Sequence, residues 1–240
     1  MNLIKTKGIV IKEVQYKDND KIITLLTDEL GKVSCIAKGA KKNNSPILAN
    51  AQYLVYSEFV LYKSNNFYYV NSATVINTFY NLRIDLDKLN YAFELTRLVQ
   101  NVTDENEDTT KVQKLLLNTL YVIQNLDRNM KIIISAFKIK LFSIIGFTPL
   151  INKCNTCGQA LEKKDKIFYD YVRNVFLCEN CIKGFDKRRF IEITNTTLIA
   201  IQYVISASIK KVFSFELKDA SNFELFSNVY ADALSNGIWN

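Results

Sequence analysis

The sequence contains no histidine. Histidine is the side chain whose ordinary pKa lies nearest physiological pH. Its absence excludes Ser-His-Asp and Cys-His arrangements, histidine metal sites and an imidazole general base within this chain. Glycine is also scarce, with seven residues in 240, and neither GxxxxGK[ST] nor GxGxxG occurs. These absences favour a binding protein over an enzyme.

The carboxylates form no catalytic pattern either. Their densest run is Asp104, Glu105, Glu107 and Asp108, in a segment that lies between two helix-like stretches. Acidic side chains stabilise the first turn of a helix, so we interpret this run as a solvated loop and helix start. A nuclease would lack the carboxylates that it needs to hold its metal ions.

Long hydrophobic runs are missing as well. The most apolar stretches, near 132–134 and 144–145, are interrupted by Lys131, Lys138 and Lys140, which leaves no run long enough to span a membrane. The N-terminal residues lack the hydrophobic core of a signal peptide. We therefore expect a cytoplasmic protein with no membrane partner, in a compartment whose reducing conditions favour thiolates over disulfides.

Four of the five cysteines form two CxxC pairs, Cys154 with Cys157 and Cys178 with Cys181, separated by 20 residues. Two such pairs at this separation are typical of a zinc ribbon, in which four thiolates close a structural tetrahedral site. A redox CxxC or two disulfides are the alternatives, but no βαβ pattern surrounds Cys154. Cys35 lies in an apolar stretch and is expected to be a buried small side chain.

Positive charge is concentrated in two parts of the chain. The formal net charge is +7; residues 1–80 carry ten lysines against six carboxylates, and residues 151–192 carry nine basic residues against six. Two basic segments are expected of a protein that binds a polyanion such as DNA. The alternative is a lysine-rich composition that serves only solubility.

The first 80 residues are typical of short β-strands. Runs rich in Ile, Val, Thr, Tyr and Phe alternate with polar turns, and five of them in so short a segment predict a small closed barrel, with an OB-fold the leading choice. The predicted strands are Ile9–Tyr16, Ile22–Thr27, Val33–Lys38, Tyr53–Tyr62 and Phe67–Ile76. A basic, flexible loop is expected over 39–46.

Helical periodicity begins after Asp87. Three apolar faces follow the spacing of a helix, and the third helix is predicted to end at Gly146. Two more helices are predicted: one from the Asn195-Thr196-Thr197 cap to about Ser208, and one near Asn222–Ser235. The faces are Leu89, Ala92, Phe93, Thr96 and Val99; Val112, Leu115, Leu116, Leu120 and Ile123; and Ile134, Phe137, Leu141, Ile144 and Ile145. The predicted fold is α+β and multidomain: a five-stranded OB-fold barrel (1–80), an α-helical body (81–151 and 185–240) and an inserted zinc ribbon with four cysteine ligands (152–184).

Several segments in this order resemble the bacterial recombination mediator family RecO. The N-terminal resemblance runs from Gly8 to Lys12, from Asp18 to Thr27, through Gly31-Lys32-Val33 and along 37–42. The C-terminal resemblance runs from Phe137 through Gly146-Phe147-Thr148-Pro149 into Cys154. The sequence departs from the family at Asn43 and Asn44, where relatives often carry arginine or lysine.

The resemblance implies a non-enzymatic function in DNA repair. It implies binding of single- and double-stranded DNA, annealing of complementary strands, and help in loading RecA onto strands covered by single-strand-binding protein. The implied partners are RecR and the C-terminal tail of the single-strand-binding protein, with RecA as an indirect partner. The implied location is the cytoplasm, in association with the nucleoid, and the implied cofactor is structural Zn²⁺.

Lysines of the barrel loop are the first candidates for DNA contact. Ammonium groups on a loop beside a barrel can follow a phosphate backbone without reading its sequence, and aromatic side chains near them can stack on bases. The candidates are Lys38, Lys41 and Lys42, extended by Lys12, Lys21, Lys32 and Lys63, with a second cluster of Lys187, Arg188 and Arg189 beside Lys183. The alternatives are solubilising lysines and a charged linker. Tyr53, Tyr56, Phe59, Tyr62, Phe67, Tyr68 and Tyr69 supply aromatic side chains, most of which we expect in the barrel core.

Annealing requires no bond chemistry. Two basic surfaces that neutralise phosphate repulsion raise the effective concentration of one strand near its complement. The rival interpretation is a zinc-stabilised interaction scaffold without DNA contact, whose helical body uses Lys131 and Lys138 to bind an acidic peptide with a hydrophobic end.

Overall fold

Residues 3–77 form a five-stranded barrel. We analysed a computed structural model that describes residues 2–235. The strands pair in the closed order β1-β2-β3-β5-β4, with β4 paired to β1 and every neighbour antiparallel except β3 and β5. This is the OB-fold that the sequence predicts. The strands are β1 (Leu3–Tyr16), β2 (Asp20–Thr27), β3 (Lys32–Ala37), β4 (Tyr56–Ser64) and β5 (Phe67–Asn77).

Alternation along each strand creates the barrel core. Ile23, Cys35, Phe59 and Leu61 are fully buried inside it, while the residues next to them on each strand face outward. A register shift between Val10 and Lys12 marks an irregularity where β1 turns from its pairing with β4 to its pairing with β2.

The predicted strand positions are correct and some boundaries are not. The first strand begins at Leu3, six residues before the predicted start, because it pairs with β4 as well as β2. The fourth begins at Tyr56 instead of Tyr53. Leu54 has a φ of +65°, a left-handed backbone that ends the preceding series of turns, so Tyr53 belongs to those turns.

The loop after β3 is anchored, contrary to the expected flexible loop. Residues 38–51 form consecutive turns closed by backbone hydrogen bonds, and the N–H of Lys41 donates to the Asn19 carbonyl at 3.0 Å. Ala40, Ile47 and Ala51 insert into the barrel core. Burial of these apolar side chains fixes the loop although many of its other residues are polar.

Three helices complete the first compact unit of the chain, which ends at Leu126. They are α1 (Tyr80–Arg83), α2 (Leu86–Val102) and α3 (Thr110–Asn125). The side-chain amide of Gln113, on α3, donates to the carbonyls of Lys7 and Leu26, each at 2.9 Å. Gln113 is buried, so these bonds satisfy strand carbonyls that the helix would otherwise cover without a partner.

The acidic run between α2 and α3 is a docked loop. Lys32 N–H donates to the Asp104 carbonyl at 3.0 Å, and Asn106 N–H donates to the Leu30 carbonyl at 3.1 Å. Gly31 has a φ of +71°, and a Cβ there would lie 2.5 Å from the Asp104 carbonyl oxygen. Only glycine permits this close approach, so the loop is part of the barrel's surface instead of a free solvated segment.

The helix faces are largely as predicted. All five residues predicted for α3 are buried, and so are Ala92, Thr96 and Val99 on α2. Two predicted residues differ: Leu89 is half-buried, and Phe93 is about half exposed and stacks on Tyr53, with ring centroids 4.7 Å apart. Leu95 takes the buried position on α2 that we assigned to Phe93.

The second compact unit begins at Asp127 and contains α4 (Met130–Ile144), α5 (Asn195–Ser206) and α6 (Ser221–Ser235). The N-cap of α5 is Thr194, one residue before the predicted cap, because its side chain accepts from the Thr197 N–H. Lys140 on α4 donates to the carbonyls of Ile205 and Ala207 at 2.7 Å each, which satisfies the C-terminal end of α5.

A small sheet between α4 and α5 lies in the segment that contains the two CxxC pairs. It has the order β7-β6-β8, with β6 (Ile167–Asp170), β7 (Val175–Cys178) and β8 (Phe190–Ile193). We call residues 150–193 the cysteine module; its third strand lies beyond the predicted segment 152–184. The three-part division of the chain stays a prediction, since compactness separates only the units 1–126 and 127–240.

Aromatic side chains attach the cysteine module to the helices of its own unit. Tyr169 and Phe176 of the sheet contact Phe226 of α6, with centroid distances of 4.9 and 5.7 Å. Phe142 of α4 contacts Tyr230 of α6 edge to face. Such ring pairs add stabilisation beyond their buried area. Within residues 2–235, no helix is long and apolar enough to cross a membrane.

Candidate metal centre and nucleic-acid interface

The four cysteines of the two CxxC pairs lie together. The Sγ atoms of Cys154, Cys157, Cys178 and Cys181 are all within 4.8 Å of one another. A tetrahedral ion with metal–sulfur distances of about 2.3 Å holds its sulfur ligands about 3.8 Å apart. The Cys157 and Cys178 sulfurs are separated by 3.8 Å, so the donor set fits such an ion.

Local backbone geometry prepares this site. Gly158, just after the second cysteine, has a positive φ of +70°, and its N–H donates to the Cys154 carbonyl at 2.9 Å. Burial raises the pKa of the Cys154 thiol, but N–H donors from Cys157, Cys178 and Thr156 outweigh burial and lower that pKa to about 6. Donors that favour the thiolate favour the form that binds a metal.

Cys35 lies apart, fully buried in the barrel core as predicted. Burial, aided by the nearby Glu105 carboxylate, raises the pKa of its thiol from 9.0 to about 12. A neutral thiol packs there as a small apolar side chain and is unsuited to redox or metal chemistry.

A continuous row of apolar and aromatic side chains crosses the outer face of all five strands. Each member is the Cα partner of the next. The four members on β2 to β5 each neighbour a core residue on their own strand, which places them on the outside, and the two members on β1 are themselves exposed. We call it the outer row: Val14, Ile22, Ile36, Tyr69, Tyr62 and Leu3. It begins and ends on β1, where Val14 is 49% exposed and Leu3 is 58% exposed.

Two tyrosines form the centre of the outer row. Tyr62 and Tyr69 are stacked with ring centroids 5.1 Å apart and nearly parallel planes. The Lys38 ammonium lies 4.9 Å from the Tyr69 centroid, within cation–π range. Of the seven aromatic side chains that we considered, only Phe59 is fully buried, so the expectation that most belong to the core was wrong. Alternation on β4 and β5 turns Tyr62 and Tyr69 outward instead.

Five of the predicted DNA-contacting lysines lie on the barrel's surface, and Lys38 contacts the outer row. Lys12 lies two residues from Val14 along β1 and is exposed. Lys41 and Lys42 follow Lys38 in the anchored turns, Lys41 half-buried and Lys42 exposed. Lys63, at the end of β4, lies 5.3 Å from the Tyr68 ring centroid. Lysines next to stacking rings provide the charge and ring surface that single-stranded DNA requires.

The sequence matches two family domains along most of its length. The match to Recombination protein O N terminal covers residues 1–79, and the match to Recombination protein O C terminal covers residues 83–229. The chain belongs to the RecO family. This family serves DNA repair and recombination.

Curated relatives agree with this family. The protein is 37% identical over 225 residues to DNA repair protein RecO of Acetivibrio thermocellus, a match that covers 94% of this chain and 88% of the relative. It is 32% identical to DNA repair protein RecO of Alkaliphilus metalliredigens, over 88% of this chain and 84% of the relative. The corresponding protein of Clostridium novyi is 27% identical, over 95% and 94%. The resemblance found in the sequence is therefore confirmed.

Two predicted DNA contacts of this RecO-family chain are engaged inside the barrel unit. The Lys21 ammonium pairs with Glu13 at 2.8 Å and also donates to the Ala51 carbonyl. The Lys32 ammonium donates to the Gln100 carbonyl of α2 at 2.6 Å. Both side chains have structural partners, and their contact with DNA stays a prediction.

The arginines of the cysteine module differ in their surroundings. Arg189 forms a two-point ion pair with the buried carboxylate of Asp170, with the shortest N–O distance 2.6 Å. Arg188 pairs with the exposed Asp186 at 2.8 Å. Lys187 is exposed. Arg189 is thus part of the internal structure of the cysteine module, whereas Arg188 and Lys187 lie at its surface.

The two lysines assigned to partner binding face α6. Lys131 pairs with Glu224 at 2.9 Å, and Lys138 donates to the side-chain oxygen of Asn228 at 2.9 Å. The sequence indicated these lysines as candidate binding residues, but it did not indicate Asp170 or most of the outer row. Strand register, which determines that row, cannot be read from residue type alone.

Proposed function

We propose that this protein binds single- and double-stranded DNA, anneals complementary strands, and helps load RecA onto strands covered by single-strand-binding protein. The outer row with its flanking lysines is the observation that carries the proposal. Stacked tyrosines provide ring surfaces for unpaired bases, and the ammonium groups of Lys38, Lys41 and Lys42 provide charge for the phosphates. The protein accelerates these steps without changing any covalent bond.

Annealing follows from charge and proximity. Lysines of the barrel neutralise one strand, and basic residues of the cysteine module (Lys183, Lys187 and Arg188, with Arg189 behind them) neutralise the second. Holding both on one chain converts a bimolecular encounter into a local one. Lys12, Lys21, Lys32 and Lys63 extend the barrel surface in this proposal.

The cofactor that we propose is one structural Zn²⁺ per chain. Four cysteine ligands leave no open position for a substrate, so the ion stabilises the module and takes no part in a reaction. RecR and the C-terminal tail of the single-strand-binding protein are the proposed partners, the tail meeting the helical unit near Lys131 and Lys138. The proposed location is the cytoplasm, on the nucleoid.

Binding of labelled single-stranded DNA across a salt series tests the proposal. We expect a steep loss of affinity with salt, because phosphate binding releases counterions. Replacing Lys38, Lys41 and Lys42 with Glu should lower the slope of log affinity against log salt by about 2, given roughly 0.7 for each phosphate contact on a single strand. Annealing of complementary oligonucleotides should slow in the same variant.

A matched control separates local contact from net charge. Replacing Arg97, Lys111 and Lys114, exposed residues on α2 and α3, with Glu changes the charge of the same unit equally. This variant should keep nearly wild-type affinity. Equal loss in both variants would mean that only net charge matters, and no loss in either would overturn the barrel as the DNA-binding surface.

A protein-interaction scaffold without DNA contact is the second candidate. Ile84, between α1 and α2, and Leu86, the first residue of α2, are 64% and 77% accessible and therefore available to a partner. A scaffold would have little affinity for bare DNA at any salt concentration, and the same salt series therefore distinguishes the two functions.

A further inference from the structure

The cysteine module has a groove on its own surface. The cavity measures about 430 Å³ and is bounded by β6, the turn after the second CxxC pair, and β8. We call it the module groove. Its volume lies within the range of about 300–1,000 Å³ that is usual for ligand sites. The residues that matter for the argument are Lys183, Phe185, Lys187, Phe190, Glu179 and Glu192.

An ordered aromatic surface forms one wall of the module groove. Phe185 is 40% exposed and meets Phe190 edge to face, with centroids 6.3 Å apart. The guanidinium carbons of Arg173 and Arg189 lie 5.5 and 5.9 Å from the Phe185 centroid. Since the ion pair with buried Asp170 fixes Arg189, the ring is held in place before any ligand arrives.

Positive charge borders the same wall. Lys183 and Lys187 flank Phe185 at two residues' distance on either side, and both are exposed. In the part of the chain that the structure describes, neither ammonium group has a hydrogen-bond or ion-pair partner. Lys166, across the groove, pairs with Glu179 at a loose 3.5 Å. The two lysines beside Phe185 are therefore available to an anionic ligand.

We propose that the module groove binds an unpaired nucleotide of single-stranded DNA, with its base on Phe185 and its phosphates at Lys183 and Lys187. This site deepens the proposed function and rests on it: it makes the module's contact specific for single strands. A base inside a duplex cannot reach the ring, whereas an unstacked base can lie on a phenylalanine or an arginine plane.

Charge favours a nucleotide over an acidic peptide in this groove. Glu179 and Glu192 also line the groove, and they would repel the carboxylates of such a peptide. A nucleotide separates its charge from its base, so the phosphate can remain at the lysines. The exocyclic amino group of a cytosine is a suitable donor for a glutamate such as Glu192.

Photochemical cross-linking of the full-length, metal-loaded protein tests the site. The probe is a mixed-sequence single-stranded oligonucleotide with one 5-iodouracil, and mass spectrometry locates the adduct. We expect an adduct at Phe185. The Lys38, Lys41 and Lys42 to Glu variant serves as the background, because the binding that remains in it belongs to surfaces other than the barrel loop.

Substitutions in that background measure the contribution of each part. Phe185→Leu should weaken single-strand binding at least about fivefold, the lower end of base stacking on an aromatic ring, and leave duplex binding unchanged. Phe185→Tyr should retain affinity. Lys183→Glu with Lys187→Glu should weaken binding further, while the control pair Lys210→Glu and Lys211→Glu, exposed in the same unit, should not. Unchanged metal content shows that each variant is folded.

The outcomes distinguish the nucleotide site in the module groove from the DNA-binding function proposed for the whole protein. No adduct at Phe185 together with unchanged binding in Phe185→Leu would overturn the groove, while a loss caused by the barrel variant would still support the proposed function. A wild-type protein that binds no DNA would overturn both. Cross-linking that is blocked by an acidic peptide with a C-terminal phenylalanine, but not by unlabelled single strands, would assign the groove to a peptide and overturn the nucleotide.

Discussion

The barrel and the cysteine module reach stability by different means. In the barrel, closure of five strands buries a cluster of apolar side chains from every strand. In the module, three strands of four residues each cover much less apolar surface, and four cysteines and one buried ion pair supplement them. A small sheet cannot offset its conformational entropy by burial alone, so its stability depends on a few specific groups.

Loss of the metal should have the largest effect and should act on one region only. Cys178→Ser, or chelation of wild type, should unfold the cysteine module, because metal binding is folding free energy in such sites. Amide hydrogen exchange should rise across 150–193 and in the part of α6 around Phe226, which the module's aromatic rings contact, while the barrel amides keep their protection. Mass spectrometry locates the change.

Cys35→Ala is the control for this experiment. It should retain one metal ion per chain, since Cys35 lies in the barrel core and is not one of the four clustered cysteines. Loss of barrel protection in Cys178→Ser would show that the two regions do not fold independently, and would remove the contrast drawn above.

Removal of the buried carboxylate should have the next largest effect. Asp170→Ala leaves the Arg189 guanidinium without its partner and two backbone N–H groups, of Val172 and Arg173, without their acceptor. Breaking a buried pair in this way costs about 3–5 kcal/mol. Urea denaturation measures the free energy of unfolding of the second unit.

The matched substitution is Asp186→Ala. It breaks the neighbouring pair with Arg188, whose side chain is 90% exposed, and solvent screening leaves such an exposed pair with little effect on stability. If both substitutions cost the same, the burial of Asp170 would not be the cause.

On the barrel, loss of an outer-row ring should weaken DNA binding without weakening the fold. Tyr69→Ala removes the ring that stacks on Tyr62 and that lies under Lys38, and we expect a loss of about 1–3 kcal/mol for each base that it contacts. Tyr121→Ala, at an exposed tyrosine of α3, should have no effect on affinity. Equal affinities for the two variants would exclude Tyr69 from the binding surface.

The smallest expected effect is a difference in thiol ionisation and reactivity between Cys35 in the barrel core and the four clustered cysteines. Burial raises the pKa of the Cys35 thiol to about 12. Between pH 9 and this value, Cys35 stays protonated in the folded protein, whereas the same thiol in an unfolded chain, with a pKa of 9.0, is ionised. Its contribution to stability is complete below pH 9 and is lost as the pH rises towards 12. At about pH 8 a thiol reagent should modify four cysteines after chelation and the fifth only after denaturation; modification of Cys35 in the folded protein would contradict its burial.

The sequence predicts the barrel better than it predicts the surfaces. Alternation of apolar residues predicts each strand, and the CxxC spacing predicts the metal ligands, because both signals are local. The partner of Arg189 lies 19 residues away across a sheet, and the outer row requires the register of all five strands. Phe93 has the spacing of a core residue but packs on Tyr53, a contact that helical periodicity does not contain.

The hydrogen bonds from Gln113 to the barrel carbonyls show where the N-terminal structural unit ends. A fragment cut after residue 79, where the N-terminal family domain ends, would leave the Lys7 and Leu26 carbonyls without that donor and would uncover the apolar surface beneath α3. The segment that can be excised, transplanted between relatives or joined to another protein is therefore residues 1–126. A recombinant fragment should end there, and a natural chimera should have its junction in the same place.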